Sequence, residues 1–334
     1  MRFLSSLRAA SMAAIVGAAT LSPASAQDPV NLKMGSFNVG GSWYIYATTI
    51  AELAQPALPE GSVVEVLPYQ GGVGNPILVN RGDADMALSF SALSNWAYTG
   101  KVTYKEPHEN IRSLVGGLNT PHRLAIVARS DFDIQSLQDI GDKKLAVDLI
   151  TVQRGGAGEA LAQMALESYG MDYDTIKENG GSVTHIDLPV ALQRLRDGQA
   201  DLFIHNIGYR QPDVMELALG TDLTFIQLGN EQMAQISEKY GLEPGLAVKK
   251  GEFEGVTEDV VSVGYPTGVI ANKNMPDDVA YAITKAIVEN PEALAKAHAS
   301  LKGFEPEKAF MPTKNGNVPL HPGAERYFKE RGWM

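Results

Sequence analysis

The stretch Gly82-Asp83-Ala84-Asp85-Met86-Ala87-Leu88 recurs in kind as Gly198-Gln199-Ala200-Asp201-Leu202-Phe203-Ile204. Each copy reads as a helix end, a G-x-A-D turn and an apolar strand. Upstream of each lies an earlier strand followed by a glycine-rich loop. Leu32-Lys33-Met34 leads into Gly35-Ser36-Phe37-Asn38-Val39-Gly40-Gly41, and Leu145-Ala146-Val147 precedes Arg154-Gly155-Gly156-Ala157-Gly158. The spacing is nearly conserved, 53 positions from Leu32 to Asp85 and 55 from Ala146 to Asp201. A chain that repeats strand, glycine loop, helix, turn and strand is expected to build two similar α/β lobes. Two such lobes, each with a glycine-rich loop at a strand end, suggest a clamp and hence a binding protein. Asp85 and Asp201, closing the duplicated turns, are expected to be structural.

Residues 1–26 have the pattern of an export signal. Arg2 and Arg8 open it, Ala9 to Leu21 is apolar and small, and Ala24-Ser25-Ala26 is an A-x-A cleavage site before Gln27. The apolar stretch is shorter than the roughly 20 residues a bilayer span needs. The remaining chain is therefore expected to be periplasmic, without direct membrane insertion. Of 28 basic residues two fall in the signal, which leaves 26 against 39 acidic ones, a formal charge of −13. That balance argues against nucleic acid as a partner. With no cysteine, thiolate metal sites, disulfides and a Cys nucleophile are excluded.

Along the chain, strands are expected at Asn31 to Met34, Val63 to Leu67, Met86 to Ser89, Leu124 to Ala128, Leu145 to Leu149, Val183 to Ile186 and Leu202 to Ile204. Val261 to Ile270 reads as one further strand. Helices are expected from Ser42 through Leu53 with Ser42 as cap, after Asn75-Pro76 with Asn75 as cap, and over Glu159–Tyr169, Val190–Arg196, Asp277–Glu289 and Glu292–Ala299. This alternation implies mostly parallel sheets covered by helices. Lobe 1 is expected to comprise 27–123 and 265–334, and lobe 2 to comprise 124–264. The strands Leu124 to Ala128 and Val261 to Ile270 are expected to cross between them.

These residues carry a resemblance. Gly35-Ser36 with Gly40-Gly41-Ser42-Trp43-Tyr44, Gly71-Gly72-Val73-Gly74-Asn75, Arg81 to Leu88, the loop at Gly155 and the ending Val318-Pro319-Leu320-His321-Pro322-Gly323-Ala324-Glu325-Arg326-Tyr327-Phe328 resemble the solute receptors of TRAP transporters, in their TAXI family. The resemblance implies a type II-like periplasmic-binding-protein clamp with its ligand cleft between the lobes and two hinge strands. It also implies capture of a small glutamate-like or dicarboxylic acid for delivery to the TRAP membrane permease subunits. Two departures stand out. Phe37-Asn38-Val39 replaces the usual middle of the first loop, with Trp43 before Tyr44, and Arg154 stands where a small Ser/Thr-rich turn is usual.

Helix N-termini with free N–H groups attract carboxylates, and ligands collect at the carboxyl ends of strands in open α/β sheets. That places Ser36, Asn38, Gly41, Ser42, Trp43, Tyr44, Gly72, Asn75, Ser89 and Ser91 on one wall, and Arg154, Gly156, His205 and Asn206 on the other. Ser42 and Asn75 have an alternative as plain helix caps, Trp43 as a core aromatic, Arg154 as a solvated loop charge and His205 as a structural histidine. Tyr209 and Arg210 rank lower. No cofactor or metal is expected, since the six histidines form no H-E-x-x-H or H-x-x-x-H pair and His185 with Asp187 is an isolated pair. An exported enzyme is the weaker alternative. Gly156-Ala157-Gly158 lacks the third glycine of a dinucleotide fingerprint, where Leu161 stands, and no G-x-S-x-G elbow exists. A periplasmic ligand-sensing domain would use the same clamp.

Overall fold

A computed structural model describes residues 28–37, 39–69 and 71–334. The expected signal segment and Asn38 lie outside the described residues.

Two mixed sheets carry the fold. The first orders β2 (Val63–Leu67), β1 (Asn31–Gly35), β3 (Met86–Phe90), β12 (Thr267–Asn272) and β4 (Ile111–Val115). The second orders β10 (Glu243–Val248), β11 (Val260–Tyr265), β5 (His122–Arg129), β8 (Leu202–Ile207), β6 (Asp148–Thr151) and β7 (Ser182–His185), with β9 (Leu223–Ile226) also pairing β5. The duplication is real in three dimensions. β1 lies parallel between β2 and β3, and β6 lies parallel between β7 and β8.

The duplicated G-x-A-D turns do the same work in both halves. Gly82 and Gly198 take the left-handed conformation, φ +80° and +69°, that ends the preceding helix. Asp85 Oδ2 accepts from Lys33 N at 2.7 Å, and Asp201 Oδ2 accepts from Asp148 N at 2.8 Å. Each aspartate thus ties the start of its strand to the first strand of its own unit. In both, one carboxylate oxygen serves the fold, as expected.

The expectation of mostly parallel sheets is corrected. Four pairings are parallel and six antiparallel. The reason is that each repeated parallel unit is extended by segments arriving from the other end of the molecule. The chain changes sheets between β4 and β5, over residues 116–121, and again at Pro266. Val261 to Ile270 is not one strand: β11 belongs to the second sheet and β12 to the first, broken at Pro266. Proline has no N–H for a ladder, and its carbonyl instead accepts from Ser91 N at 3.0 Å. The strand expected at Leu145 to Leu149 begins later, at Asp148, after Lys144 turns with φ +49°.

Helices cover the sheets: α1 (Ser42–Ala54), α2 (Gly74–Arg81), α3 (Ser91–Thr99), the short α4 (Gln138–Asp142) and α5 (Ala157–Ser168). Two C-terminal helices, Asp277–Val288 and Pro322–Glu330, return to the first sheet and pack on each other through Tyr281 and Tyr327. β3 and β8 are buried along their whole length, as central strands must be. The core side chains Met34, Tyr46, Ile50, Leu88 and Phe328 are at most 1% exposed, and burying a large apolar side chain contributes roughly 1.5–3 kcal/mol.

Candidate functional site

The glycine loops of the two halves meet. A Cβ on Gly72, in the loop before α2, would lie 3.2 Å from Ala157 N and 3.8 Å from Gly156 Cα. Gly72 holds φ +46° and Gly155 φ +82°, backbone conformations that favour glycine. The N-terminus of α5, with its unpaired N–H groups and partial positive charge, therefore faces the loop of the first sheet across a single backbone thickness. Of the expected wall residues, Gly72 and Gly156 are brought together directly.

On the first wall, several polar side chains are engaged in holding the loops. Ser36 is fully buried, and its Oγ donates to Leu67 O and Phe37 O, each at 3.1 Å. Asn75 does not cap α2, which starts one residue earlier at Gly74. Its side chain turns inward instead, and Nδ2 donates to Leu88 O at 2.8 Å and Ser36 O at 3.2 Å, locking α2 to the ends of β1 and β3. Its Oδ1 is buried without a partner. Ser42 is likewise the first helical residue rather than the cap. Gly41 occupies the cap position, its carbonyl accepting from Tyr44 N at 3.0 Å. Trp43 is buried against Phe90, with ring centroids 4.4 Å apart, and its Nε1 donates to Thr267 Oγ1 at 3.1 Å. Tyr44, beside it, is half-buried. Ser89 Oγ accepts from Ser94 Oγ at 2.7 Å, and Ser91 begins α3.

On the second wall, Arg154 is exposed on the loop before α5. Its charge reaches Tyr173 and His185. His205, on β8, has an unpartnered buried Nδ1 pressed against Gly158. Asn206 follows it and is also buried.

A cluster that the sequence reading missed lies where the chain changes sheets. Phe90 stands at its centre, 4.5 Å from Tyr265 and 4.9 Å from His122 between ring centroids. Asn119 Nδ2 lies 3.2 Å from His122 Nδ1, and Asn119 Oδ1 accepts from Thr267 N at 2.8 Å. Ser300 Oγ lies 2.9 Å from His298 Nδ1 and also meets Tyr46 OH. The signal available in sequence was the pair of prolines, Pro121 before His122 and Pro266 between Tyr265 and Thr267, which mark breaks next to aromatic and polar residues.

Burial holds two of these histidines neutral. His122 is lowered to about 3 by burial and then by the Arg123 cation, and His205 to about 3 by burial. An unfolded histidine titrates near 6.5. Below that pH the unfolded chain binds protons that the folded one refuses, so stability is complete above about pH 6.5 and declines as pH falls toward 3. The slope is about 1.4 kcal/mol per pH unit for each such histidine once the unfolded form is fully charged. Denaturant midpoints should drop steadily between pH 6.5 and 5, and less steeply in a His122→Gln variant. Equal slopes in both proteins would show that His122 protonates freely in the fold.

Among the described residues no group of three or more His, Asp or Glu side chains gathers to hold a metal ion, and no helix is long and apolar enough to cross a membrane. Two open cavities lie away from the glycine loops. One of about 300 Å³ sits at the opposite pole of the first sheet, beside Asn80 and Asn272, and one of about 530 Å³ sits beside the helix Asn230–Tyr240 and the start of β10. Neither cavity lies at the start of α5, where the two glycine loops meet.

Two strand–glycine-loop–helix units, joined by two sheet crossings and facing each other through their glycine loops, define the solute-binding-protein fold of the periplasm. Solved structures agree. The chain superposes on the periplasmic binding protein BugD with a TM-score of 0.50 at 17% identity, covering 91% of this chain and 95% of that one. It superposes on PhnD1 from Prochlorococcus marinus, in complex with methylphosphonate, with a TM-score of 0.54 at 10% identity, covering 92% and 100%. For XAC2383 from Xanthomonas citri bound to ATP the TM-score is 0.53 at 11% identity, covering 90% and 94%. Residues 34–332 match the model of the NMT1-like family, and the chain belongs to that family.

Proposed function

We propose that this protein is the extracytoplasmic solute receptor of a TRAP transporter of the TAXI family, capturing a small organic acid between its two halves and delivering it to the membrane permease subunits. The observation that carries this reading is the apposition of Gly72 with Gly156 and Ala157. Glycine at position 72 lets the two loops approach backbone to backbone, and the start of α5 beside it offers N–H donors and a positive dipole end to a carboxylate. Neutral His205 leaves the recognition to hydrogen bonds inside, with the Arg154 charge at the rim. The motif resemblance supplies the transporter class and the carboxylate, and the leader-like residues 1–26 supply the compartment. PhnD1 and XAC2383, which share the fold, were solved with methylphosphonate and with ATP, both anions. In this reading residues 116–121 and Pro266 are the hinges, and solute bridging the halves holds the clamp closed.

A thermal-shift screen of the chain from Gln27 onward tests the solute class. A solute at 100 times its Kd adds about 2.7 kcal/mol of stability, a shift of several degrees at roughly 2–4 °C per kcal/mol. A shift confined to mono- and dicarboxylates is expected. A shift produced by neutral sugars or amines and by no carboxylate would overturn the reading. Small-angle scattering should show compaction with the hit, and an unchanged profile would remove the clamp. Arg154→Ala is expected to weaken the carboxylate about threefold to tenfold, the modest range set by an exposed guanidinium. Calorimetry giving the native affinity would make Arg154 a plain surface charge.

A further inference from the structure

The repeat makes each half a control for the other. In the second half, Arg129 N donates to Asp201 O at 3.0 Å; in the first, Asn272 N donates to Asp85 O at 2.9 Å. The two side chains therefore start from equivalent places. Arg129 Nη1 reaches Leu195 O at 3.3 Å, and Asn272 Nδ2 reaches Val79 O at 2.6 Å. Leu195 and Val79 stand at the same position, three residues before the glycine of the G-x-A-D turn. Two residues beyond Arg129, Asp131 clasps the guanidinium with both oxygens, at 3.0 and 2.6 Å. Two residues beyond Asn272 stands Asn274, whose backbone N–H donates to Asn272 Oδ1 at 2.9 Å. An ion pair in one half is thus replaced by two asparagines in the other.

The replacement leaves a space. The cavity of about 300 Å³ in the first half is lined by Asn80, Arg81, Asp85, Asn110, Asn272 and Asn274, among others. Its volume lies at the lower end of the range for small-molecule sites. Its chemistry is asymmetric. Asp85 supplies its negative charge, with Oδ2 used on Lys33 N, while the last carbonyls of α2 are already met, Val79 O by Asn272 Nδ2 and Asn80 O by Asn110 Nδ2. Asn110 Nδ2 donates to Asn80 O at 3.0 Å, so Asn110 turns its donor to the helix end and keeps its Oδ1 as an acceptor. Arg81, the last residue of α2, also lines the cavity, exposed and without an ion pair among the described residues.

From this juxtaposition we infer that the cavity is a second ligand site, taking a small zwitterion of the amino-acid class. Its ammonium or guanidinium group lies toward Asp85, and its carboxylate lies on Arg81. Such a ligand supplies from outside the charge pair that Arg129 and Asp131 supply in the other half. The site stands at the opposite pole from the glycine loops and does not depend on the solute held there.

The test is amide-resolved NMR on the chain from Gln27 onward, titrated to about 10 mM, a range that detects even millimolar Kd. The probes are L-arginine, agmatine, which lacks the carboxylate, and glucose. Saturable shifts at Gly82, Asp85, Asn110 and Asn274 with L-arginine are expected, about tenfold weaker binding for agmatine, and none for glucose. Arg81→Ala should bring L-arginine down to the level of agmatine. The pair Asn272→Arg with Asn274→Asp, which copies the second half, should abolish the shifts and leave the resonances of Gly72 and Gly156 where they stand in the unsubstituted protein. If that pair fails to fold, Arg81→Ala decides alone. Equal shifts with glucose, L-arginine shifts confined to Gly72 and Gly156, or no shifts at all would overturn the proposal.

Discussion

Glu252→Ala is expected to lower the stability of the protein by about 3–5 kcal/mol, the range found when one partner of a buried ion pair is removed. Glu252 and Arg123 are 5% and 2% exposed and form an ion pair next to the first sheet crossing. The carboxylate does more than neutralise. Its Oε2 accepts from Lys249 N at 3.0 Å and its Oε1 from Arg210 N at 3.3 Å. Burial pushes the Arg123 guanidinium down and Glu252 pulls it back up, and Arg123 already has one buried nitrogen, Nε, without a partner. Removing the carboxylate leaves a buried cation with a single contact, to Pro121 O at 3.1 Å. At roughly 2–4 °C per kcal/mol the melting temperature should fall by on the order of 10 °C. Replacing both partners by apolar residues, Arg123→Met with Glu252→Leu, should recover the share of the loss that lies in the stranded charge, but not the share that Lys249 N and Arg210 N lose with their acceptor. A melting temperature unchanged in Glu252→Ala would mean that water reaches Arg123 and that the crossing is looser than its burial implies.

Arg123 and Glu252 also mark the limit of what the chain discloses. They lie 129 positions apart, and nothing local to either residue announces the other. What was legible is what local chemistry determines: the alternation of strand and helix, the glycine turns that end helices, and the two aspartates that close those turns. Those features placed the duplicated units and their facing glycine loops. Asn75 shows how a local rule fails. Asn before Pro favours a helix cap, but the ends of β1 and β3 offer two buried carbonyls within reach of its amide, and that tertiary demand decides. Ser42 likewise falls one residue inside α1, with Gly41 at the cap and no side-chain cap at the start of the helix. The antiparallel returns were hidden because pairing direction depends on where the chain comes back from, not on the composition of the returning strand. His122 and Tyr265 were missed for the same reason, since they become neighbours only through the pairing of β11 with β5.

Gly158→Ala should have an effect opposite to the one its helix predicts. Gly158 is the second residue of α5, and in a helix interior alanine is better by roughly 0.8–1.0 kcal/mol, an upper bound for this first turn. Its added Cβ, however, would lie 1.9 Å from His205 Nδ1 and 3.0 Å from Val152 Cγ2. No real contact of carbon with a ring nitrogen is that short, so either α5 shifts or the imidazole swings away. Overpacking of this kind costs about 1–3 kcal/mol and occasionally more, which outweighs the propensity gain. A melting temperature lower by about 5 °C is expected. Because the start of α5 and His205 both belong to the proposed carboxylate site, affinity for the solute should fall by on the order of tenfold or more. Gly74→Ala supplies the control: that glycine opens α2 with nothing within 4 Å of its Cβ position, so there the propensity gain should appear and stability should rise slightly. Adding His205→Ala to Gly158→Ala separates the two consequences. The clash disappears with the imidazole, so the double variant should be more stable than the two losses summed, the non-additivity expected of residues in contact. Its solute affinity should stay low, because the hydrogen-bonding ring is gone. If Gly158→Ala instead behaves like Gly74→Ala, gaining stability and keeping its affinity, His205 does not press on the start of α5, and the second wall of the site must be built from Arg154 and the loop backbone alone.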